Sequence, residues 1–500
     1  MGGKVMIMAK RILICGIALL LTLLCAVSCK SETTTEPTSG ENDLQELYDT
    51  VVLTIDGTPI TYEKYRYYFY GIASTLTDEN KQPGEGVDIK DLREAVLQEL
   101  RTEQAIATLA ERYGISVSDE EWATVDSYLT QMDYYYQTSM GTSLEEVLAA
   151  NYGTLPVCRE VYAFGYYISD AVYEYMYNRE NGVVDFSEDK VRAGMEDVYC
   201  TLHILLTKDN YTSDEDTLKI AEALTGLLKE IDGAAVQFAA AGTDSASQSA
   251  VFDSVREAYA RAKEQSSFVG SFSPYMDELD VLEKELTEGG GKAAAAYLKA
   301  AAAKLDGEET AVTYLKRFAE GLPEDGISDA SAYEKDYAEA LTLYEEYINT
   351  AIDAYAETSD ADFPESKEMD ALFGMRLVGA VINGKVREYA LETLQNAFAE
   401  AVRIFGEDRE DPRHGVYFKK GETDEDFENA YFALAEGEIS GPVKTSYGVH
   451  VVLRQANDFD YFKEKVYEGY AVSALIDDLI DAQTVTYEDI YETITMDTLE

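Results

Sequence analysis

The chain has 500 residues, of which 46% are hydrophobic, and 95 acidic against 41 basic residues give a net charge of -54 at pH 7. The hydrophobic content is sufficient for packed cores and excludes an intrinsically disordered chain, while the length predicts about three domains. So acidic a surface repels nucleic-acid backbones and anionic lipid headgroups, so we expect no nucleic-acid partner. With nine prolines and abundant Ala, Leu, Glu and Lys, the composition favours helix.

The first 28 residues predict a secretory signal peptide. Three basic residues precede an apolar run that extends to Val27, the charge order of such a signal. The run ends in Ala26-Val27-Ser28-Cys29, which resembles the lipobox of bacterial lipoproteins. The resemblance implies that Cys29 is lipidated and anchors the chain to the membrane; ordinary signal cleavage beside an incidental cysteine is the alternative. Residues 29–45, rich in Thr, Ser, Glu and Gly, then predict a flexible tether.

The remaining polar motifs predict no cofactor. Cys158 and Cys200 can form at most one disulfide in an exported protein. With three histidines and neither a CxxC nor an HExxH motif, a structural zinc site is not expected. The segment Gly289-Gly290-Gly291-Lys292 lacks the first glycine and the Ser/Thr of a phosphate-binding loop, so we interpret it as a hinge before an Ala-rich helix.

The region after the tether begins with a short strand and continues as capped helices. Residues 51–55 form a β-type run closed by Asp56-Gly57, and Thr61 can cap a tyrosine-rich helix. A later apolar stripe ends at Gly114, after which Ser118 and Glu121 form a capping box.

The segments 55–61 and 113–121 resemble the N-terminal chaperone domain of the SurA and PrsA foldase family. The resemblance implies that residues 46–195 form a helical domain that binds unfolded exported polypeptides. Its tyrosines either pack between helices or line a groove for such clients.

Two later strands each carry one histidine among apolar residues. The first covers residues 198–206 with His203 at its middle, and a helix capped by residues 213–216 follows it and ends at Gly233. The second covers residues 449–453 and contains His450; it follows a helix at 427–434 and the stretch 436–443.

These segments resemble the two ends of a parvulin-type peptidyl-prolyl isomerase domain. The first strand carries His-Ile-Leu and the last carries Gly-Val-His-Val. Because the histidines lie 247 positions apart, we expect a discontinuous domain, residues 196–236 and 395–456, split by a helical insertion at 237–394. The insertion is predicted to contain helices at 293–305, 333–355 and 369–401. Helices within residues 457–500 are expected to pack on the N-terminal domain.

The resemblance also implies a set of site residues. His203 and His450 should face each other on neighbouring strands. Asp408 is the first candidate for a carboxylate beside them, and Asp411 is the second. The implied catalytic residues are His203, His450, Asp408, Thr445 and Tyr447, and the implied substrate-binding residues are Phe427, Thr423, Val416 and Tyr417.

Two positions depart from the family pattern. Thr423 stands where a methionine usually forms the pocket floor, and Arg413-His414-Gly415-Val416 replaces Gly-Asp-Leu-Gly. Both changes weaken the apolar pocket, and His414 is expected to be exposed.

The sequence thus predicts a mainly helical α+β protein, a lipid-anchored extracytoplasmic foldase with chaperone and prolyl isomerase activities. A holdase that keeps the parvulin fold but has lost efficient catalysis is the alternative. A solute-binding lipoprotein would show repeated βα units and is disfavoured by the helical pattern. The expected partners are unfolded exported polypeptides and, through the lipid, the membrane; the sequence leaves a homodimer open.

Overall fold

The computed structural model describes residues 46–77, 81–207, 214–307, 309–327, 329–358 and 361–499. The predicted signal peptide, tether and lipidated Cys29 lie outside these residues, as does Ser213. Strands β1 to β7 are Val51–Ile55, Thr58–Thr61, Val198–Thr207, Val416–Lys419, Val443–Lys444, Gly448–Gln455 and Val485–Tyr487.

Helices occupy most of the remaining described chain. Helices α1 to α7 are Tyr62–Leu76, Ile89–Tyr113, Asp119–Ser139, Leu144–Ala150, Leu155–Ala163, Asp170–Tyr177 and Glu188–Met195. Helices α8 to α13 are Asp214–Ala241, Ser245–Gln265, Ser273–Glu288, Lys292–Lys304, Thr310–Gly321 and Glu334–Glu357. Helices α14 to α19 are Ser366–Ile382, Val386–Gln395, Ala397–Phe405, Glu425–Ala433, Phe459–Tyr461 and Tyr467–Ala482. The predicted α+β class, mainly helical with small antiparallel sheets, is confirmed.

The chain divides into two compact units. Among the described residues, the first unit contains those within 46–191 together with 467–499, and the second unit contains those within 192–466.

Local chemistry specifies the helix ends of the first unit. The Thr61 hydroxyl accepts a hydrogen bond from the Lys64 backbone N–H, and Ser118 and Glu121 form the predicted capping box at the start of α3. Gly114 ends α2 in the left-handed conformation, with φ of 70°. These predicted caps are confirmed. They can be predicted from sequence because each depends on residues close together in the chain.

The C-terminal segment completes the first unit in two ways. Strand β7 pairs antiparallel with β1, so the sheet has the order β2-β1-β7, a pairing that the sequence analysis missed. Helix α19 packs against α2 and α6 through a shared apolar cluster. Its buried members include Ile106, Leu109, Val172, Met176, Val472, Ile476 and Ile480. Helix α19 therefore packs on helices of the N-terminal region.

The second unit is built around a four-stranded antiparallel sheet of order β4-β3-β6-β5. One face of β3, formed by Leu202, Ile204 and Leu206, belongs to a large apolar core shared with α8 and α16. On the opposite face, helix α17 places Phe427 and Tyr431 against Phe418 and Val452. We call these the core face and the histidine face of the sheet.

The helices of the predicted insertion belong to the same apolar core as the sheet. Two predictions on helix ends were wrong. Helix α8 does not end at Gly233 but continues to Ala241, because Ala234, Ala235 and Phe238 beyond the glycine are buried. The predicted helix at 369–401 is three helices, α14 to α16, with Gly384 at φ of 66° in the first break.

A buried acid occupies the start of α11, after the three-glycine segment. The Glu285 carboxylate is 4% exposed and accepts hydrogen bonds from the backbone N–H groups of Gly291 and Ala294, at 2.6 and 3.2 Å. Two backbone donors at this helix N-terminus already bind a carboxylate, whose negative charge would repel a phosphate.

Within the described residues, helices sufficiently long and apolar to span a membrane do not occur.

Substitution Glu99→Gln should stabilise the first unit at alkaline pH. Burial, and next the neighbouring Glu103, raise the pKa of Glu99 from 4.5 to about 8. Between these values the folded chain holds a proton that the unfolded chain releases, so the free energy of unfolding falls as pH rises. We expect the advantage of the variant to grow across this window and then to level off above about pH 8.

Urea unfolding can be followed by the fluorescence of Trp122, the single tryptophan, which lies in α3 of this unit. Glu111→Gln, an exposed change on the same helix α2, is the matched control. A pH-independent difference between Glu99→Gln and wild type would contradict the assignment.

Candidate active site

The two predicted histidines meet on the histidine face of the sheet. Strand β3 pairs with β6 in a register that sets His203 opposite Val452 and Leu205 opposite His450. The histidines are therefore diagonal neighbours on one face, and their ring centroids lie 5.3 Å apart. Both side chains are buried. Two residues 247 positions apart thus share one site.

Carboxylates lie beside both ring nitrogens of His203. Asp408 Oδ2 is 3.3 Å from Nε2, and Glu410 Oε2 is 3.2 Å from Nδ1. The same Glu410 oxygen accepts a hydrogen bond from the His203 backbone N–H at 3.2 Å. The Glu410 side chain is fully buried, whereas that of Asp408 is 31% exposed. These contacts fix the orientation of the His203 ring.

The position of Asp408 agrees with the sequence-based choice, but Glu410 was missed and Asp411 lies elsewhere. Asp411 forms an ion pair with Arg413 at 2.7 Å. Although burial opposes ionisation, this arginine holds the pKa of Asp411 below its usual value. The run of acids at 407–411 signalled a charged site, but only the path of the loop shows which side chains reach the imidazole.

His450 is a neutral partner in the pair. Its Nε2 lies 2.9 Å from the hydroxyl of Thr445, as the resemblance implied. Burial, and next the neighbouring His203, lower the pKa of His450 to about 3. The ring is therefore uncharged at neutral pH and can either donate or accept a hydrogen bond at Nε2.

Phe427 packs against both histidine rings. Its ring stands edge-on to both imidazoles, with centroid distances of 5.4 Å to His203 and 5.3 Å to His450. Helix α17, which carries Phe427, is capped at its N-terminus by Asp424, whose carboxylate accepts the Asp426 backbone N–H. The result is an apolar wall beside two polar rings.

Three other predicted residues lie outside this cluster of rings. The hydroxyl of Thr423 bonds to Glu428 at 3.3 Å, so its polar group is already occupied. Val416 is half-buried at the end of β4, opposite Thr201. The side chain of Tyr447 is 70% exposed, and its backbone N–H donates to the Thr445 hydroxyl.

Tyr417 lies on the core face, because it pairs with Cys200 and side chains alternate along a strand. Its hydroxyl accepts the Asp458 backbone N–H, and it lines a cavity of about 470 Å³ together with Cys200 and His414. The expectation that Tyr417 contacts substrate beside the histidines does not agree with this placement, since the sheet separates them.

The segment that replaces the usual Gly-Asp-Leu-Gly has its own packing. His414 is half-buried and stacks on Tyr461 with centroids 3.8 Å apart, so the expectation of an exposed side chain was wrong. Burial lowers the pKa of His414. Gly415 has φ of 68°, and a Cβ there would collide with the Thr201 carbonyl, so this position requires glycine.

Cys158 and Cys200 are both buried free thiols, and burial raises the pKa of each to about 12. In the described part of the chain, no group of three or more His, Cys, Asp and Glu side chains is arranged to bind a metal ion.

Substitution His450→Gln should reduce the acid sensitivity of the second unit. Between pH 6.5 and about 3 the unfolded chain binds a proton at residue 450 that the folded chain does not, so the free energy of unfolding falls as pH falls. Each unit of pKa shift corresponds to about 1.4 kcal/mol, so the loss reaches a few kcal/mol in the wild type. Urea titrations followed by circular dichroism measure it. Identical pH slopes in the wild type and the variant would contradict the buried, neutral state.

Two segments of the chain match known family models. Residues 385–456 match the family model of the PPIC-type PPIASE domain, and residues 7–153 match that of the SurA-like N-terminal domain. The chain is 28% identical over 143 residues to the foldase protein PrsA of Bacillus subtilis, covering 27% of this chain and 48% of that protein. It is 29% identical over 173 residues to the foldase protein PrsA 2 of Listeria innocua, covering 32% and 57%.

These matches confirm the predicted resemblance to parvulin-type foldases of the PrsA and SurA kind. The chain spans only about half the length of these two relatives, at 48% and 57%. The first match includes the loop with Asp408 and Glu410, helix α17 and strand β6, but not β3 with His203.

Proposed function

We propose that this protein is an extracytoplasmic foldase that catalyses cis–trans isomerisation of peptidyl-prolyl bonds and binds unfolded exported polypeptides. The observation that carries the proposal is the cluster of His203, His450 and Phe427 on one sheet face, in a chain with a PPIC-type match. The chaperone part is supported by the SurA-like match and by the relatives named as foldases.

The reaction needs little from its catalyst beyond shape and polarity. Rotation about an X–Pro amide has a barrier of about 20 kcal/mol because the twisted amide loses resonance. No bond to a side chain, proton transfer or cofactor is required, since the catalyst only has to bind the twisted amide better than the planar isomers. A pocket with an apolar wall for the proline ring and fixed polar groups meets this requirement.

The side chains suggest a division of roles. Phe427 forms the wall for the prolyl ring, and His450, oriented by Thr445, presents a neutral imidazole to the amide. His203 is oriented by Asp408 and Glu410 and supports His450 from the neighbouring strand. Tyr447 lies at the surface next to Thr445, where it can contact the bound chain.

A holdase without efficient catalysis is the second candidate. It is favoured by the occupied hydroxyl of Thr423 in place of an apolar pocket floor. It is also favoured by the tyrosines of the first unit, where Tyr128, Tyr162 and Tyr166 stack at 4.7 and 4.6 Å and two of them are 38% and 44% exposed. Stacked tyrosines offer apolar area at low entropic cost, a suitable surface for unfolded clients.

An isomerisation assay on a proline peptide separates the two candidates. We expect the wild-type protein to accelerate the exchange, and His450→Ala to reduce the acceleration about tenfold or more, because a fixed polar group beside the amide is lost. Glu111→Gln, an exposed change in the first unit, should retain activity.

The same variants are then tested for suppression of aggregation of an unfolded client. Aggregation suppression without any acceleration by the wild type favours the holdase. An isomerase whose His450→Ala variant is folded and fully active would contradict the proposed site.

We further propose that the mature protein is secreted and anchored to the extracytoplasmic face of the membrane through lipid on Cys29. The support is the sequence of residues 26–29 at the end of the apolar run. Substitution Cys29→Ala should abolish incorporation of labelled fatty acid and release the protein into the medium, because two acyl chains supply the hold on the bilayer. Cell fractionation and lipid labelling measure both effects, with Cys158→Ala as the control. A Cys29→Ala variant that still carries label would contradict the proposal.

A further inference from the structure

The loop between α16 and β4 is held from two sides. Asp408 and Glu410 face His203, whereas the neighbouring Arg409 and Arg413 face helix α13 in the insertion. We call residues 406–415 the acidic loop. Its ends are tied to the sheet, since the Glu407 backbone N–H donates to the Leu205 carbonyl and Gly415 leads directly into β4. Between these ends, the side chains that reach the insertion are arginines.

Arg409 binds the C-terminal end of α13. Its Nη1 donates to the carbonyl oxygens of Tyr355, Thr358 and Ala361, and its guanidinium lies 4.7 Å from the centre of the Tyr355 ring. Carbonyl groups at a helix C-terminus lack partners within the helix and carry partial negative charge, so a cation there is favourable. The Arg409 side chain thus links the acidic loop, one residue before Glu410, to the C-terminal end of α13.

Arg413 binds the preceding turn of the same helix. Its Nη1 donates to Asn349 Oδ1 at 2.8 Å, and its Nη2 forms an ion pair with Asp353. Asn349 and Asp353 are four residues apart and therefore share one face of α13. Arg413 also binds Asp411 within the loop, so its guanidinium group holds the loop and the helix together.

We infer that helix α13 of the insertion is a positioning element for the histidine pair, acting through Arg409 and Arg413. The two arginines lie on either side of Glu410 and set the path of the acidic loop, and that path places Asp408 and Glu410 at the two nitrogens of His203. A carboxylate without any exposure, such as Glu410, keeps its position only while its backbone is held. The insertion is thus a part of the site and not a spacer; its effect on catalysis rests on the proposed isomerase activity.

The test compares the double variant Arg409→Ala/Arg413→Ala with Arg376→Ala. Arg376 also binds α13, through Glu345 at 2.9 Å, but contacts no residue of the acidic loop in the described ion pairs. With three histidines in the chain, the ring ¹⁵N resonances of full-length protein can be assigned, and those of His203 report its contacts with the carboxylates. This readout does not depend on activity.

We expect the double variant to shift the His203 ring resonances and to lower kcat roughly tenfold with KM nearly unchanged, since a small misplacement of a supporting group impairs catalysis more than binding. Arg376→Ala should resemble the wild type in both measurements. A folded double variant with wild-type His203 resonances would overturn the inference, whatever its activity.

If the double variant does not fold, Asn349→Ala/Asp353→Ala removes the partners of Arg413 from the surface of α13, and the same shift of the His203 resonances is expected. If the wild type shows no isomerase activity, the proposed function fails while the resonances still decide whether α13 positions the ring. If the wild type is active and the loop variants keep both activity and resonances, only the positioning role fails.

Discussion

The antiparallel pairing of β3 with β6 is the constraint on which the site depends. Eight residue pairs, from Cys200–Gln455 to Thr207–Gly448, fix the register. Because side chains alternate between faces, a shift of one residue would move His450 to the core face and place apolar side chains beside His203. Burial of Leu202, Ile204 and Leu206 against α8 and α16 opposes such a shift. The apolar core of the second unit therefore also specifies the geometry of its polar face.

Sequence reasoning succeeded where the cause of a structure is local or where a motif carries its own context. The caps at Thr61 and Ser118 are decided within four residues, and each histidine lies inside a recognisable strand. It failed where tertiary contacts decide. Burial beyond Gly233 outweighs the low helix propensity of glycine, and the choice of Glu410 over Asp411 depends on how the acidic loop folds back on the sheet.

The acidic composition gives the few arginines of the second unit a specific role. In a chain with 95 acidic residues, the loop at 407–411 would repel itself and the neighbouring acids of α13 without cations between them. Arg413 binds one acid from each side, Asp411 and Asp353, and Arg409 turns to helix carbonyls. Of the other loop carboxylates, Glu407 accepts the Thr207 backbone N–H, whereas Asp408 and Glu410 face His203.

The insertion lies between β3 and β4 in the chain, and this position affects how the sheet folds. Strand β3 is synthesised more than two hundred residues before its partner β6, so their pairing is among the most distant contacts in the chain. Contacts between residues so far apart in sequence form slowly, and an unpaired strand edge can associate with other chains. Helix α8 and the helices that follow it can cover the core face of β3 until β6 is available to pair with it.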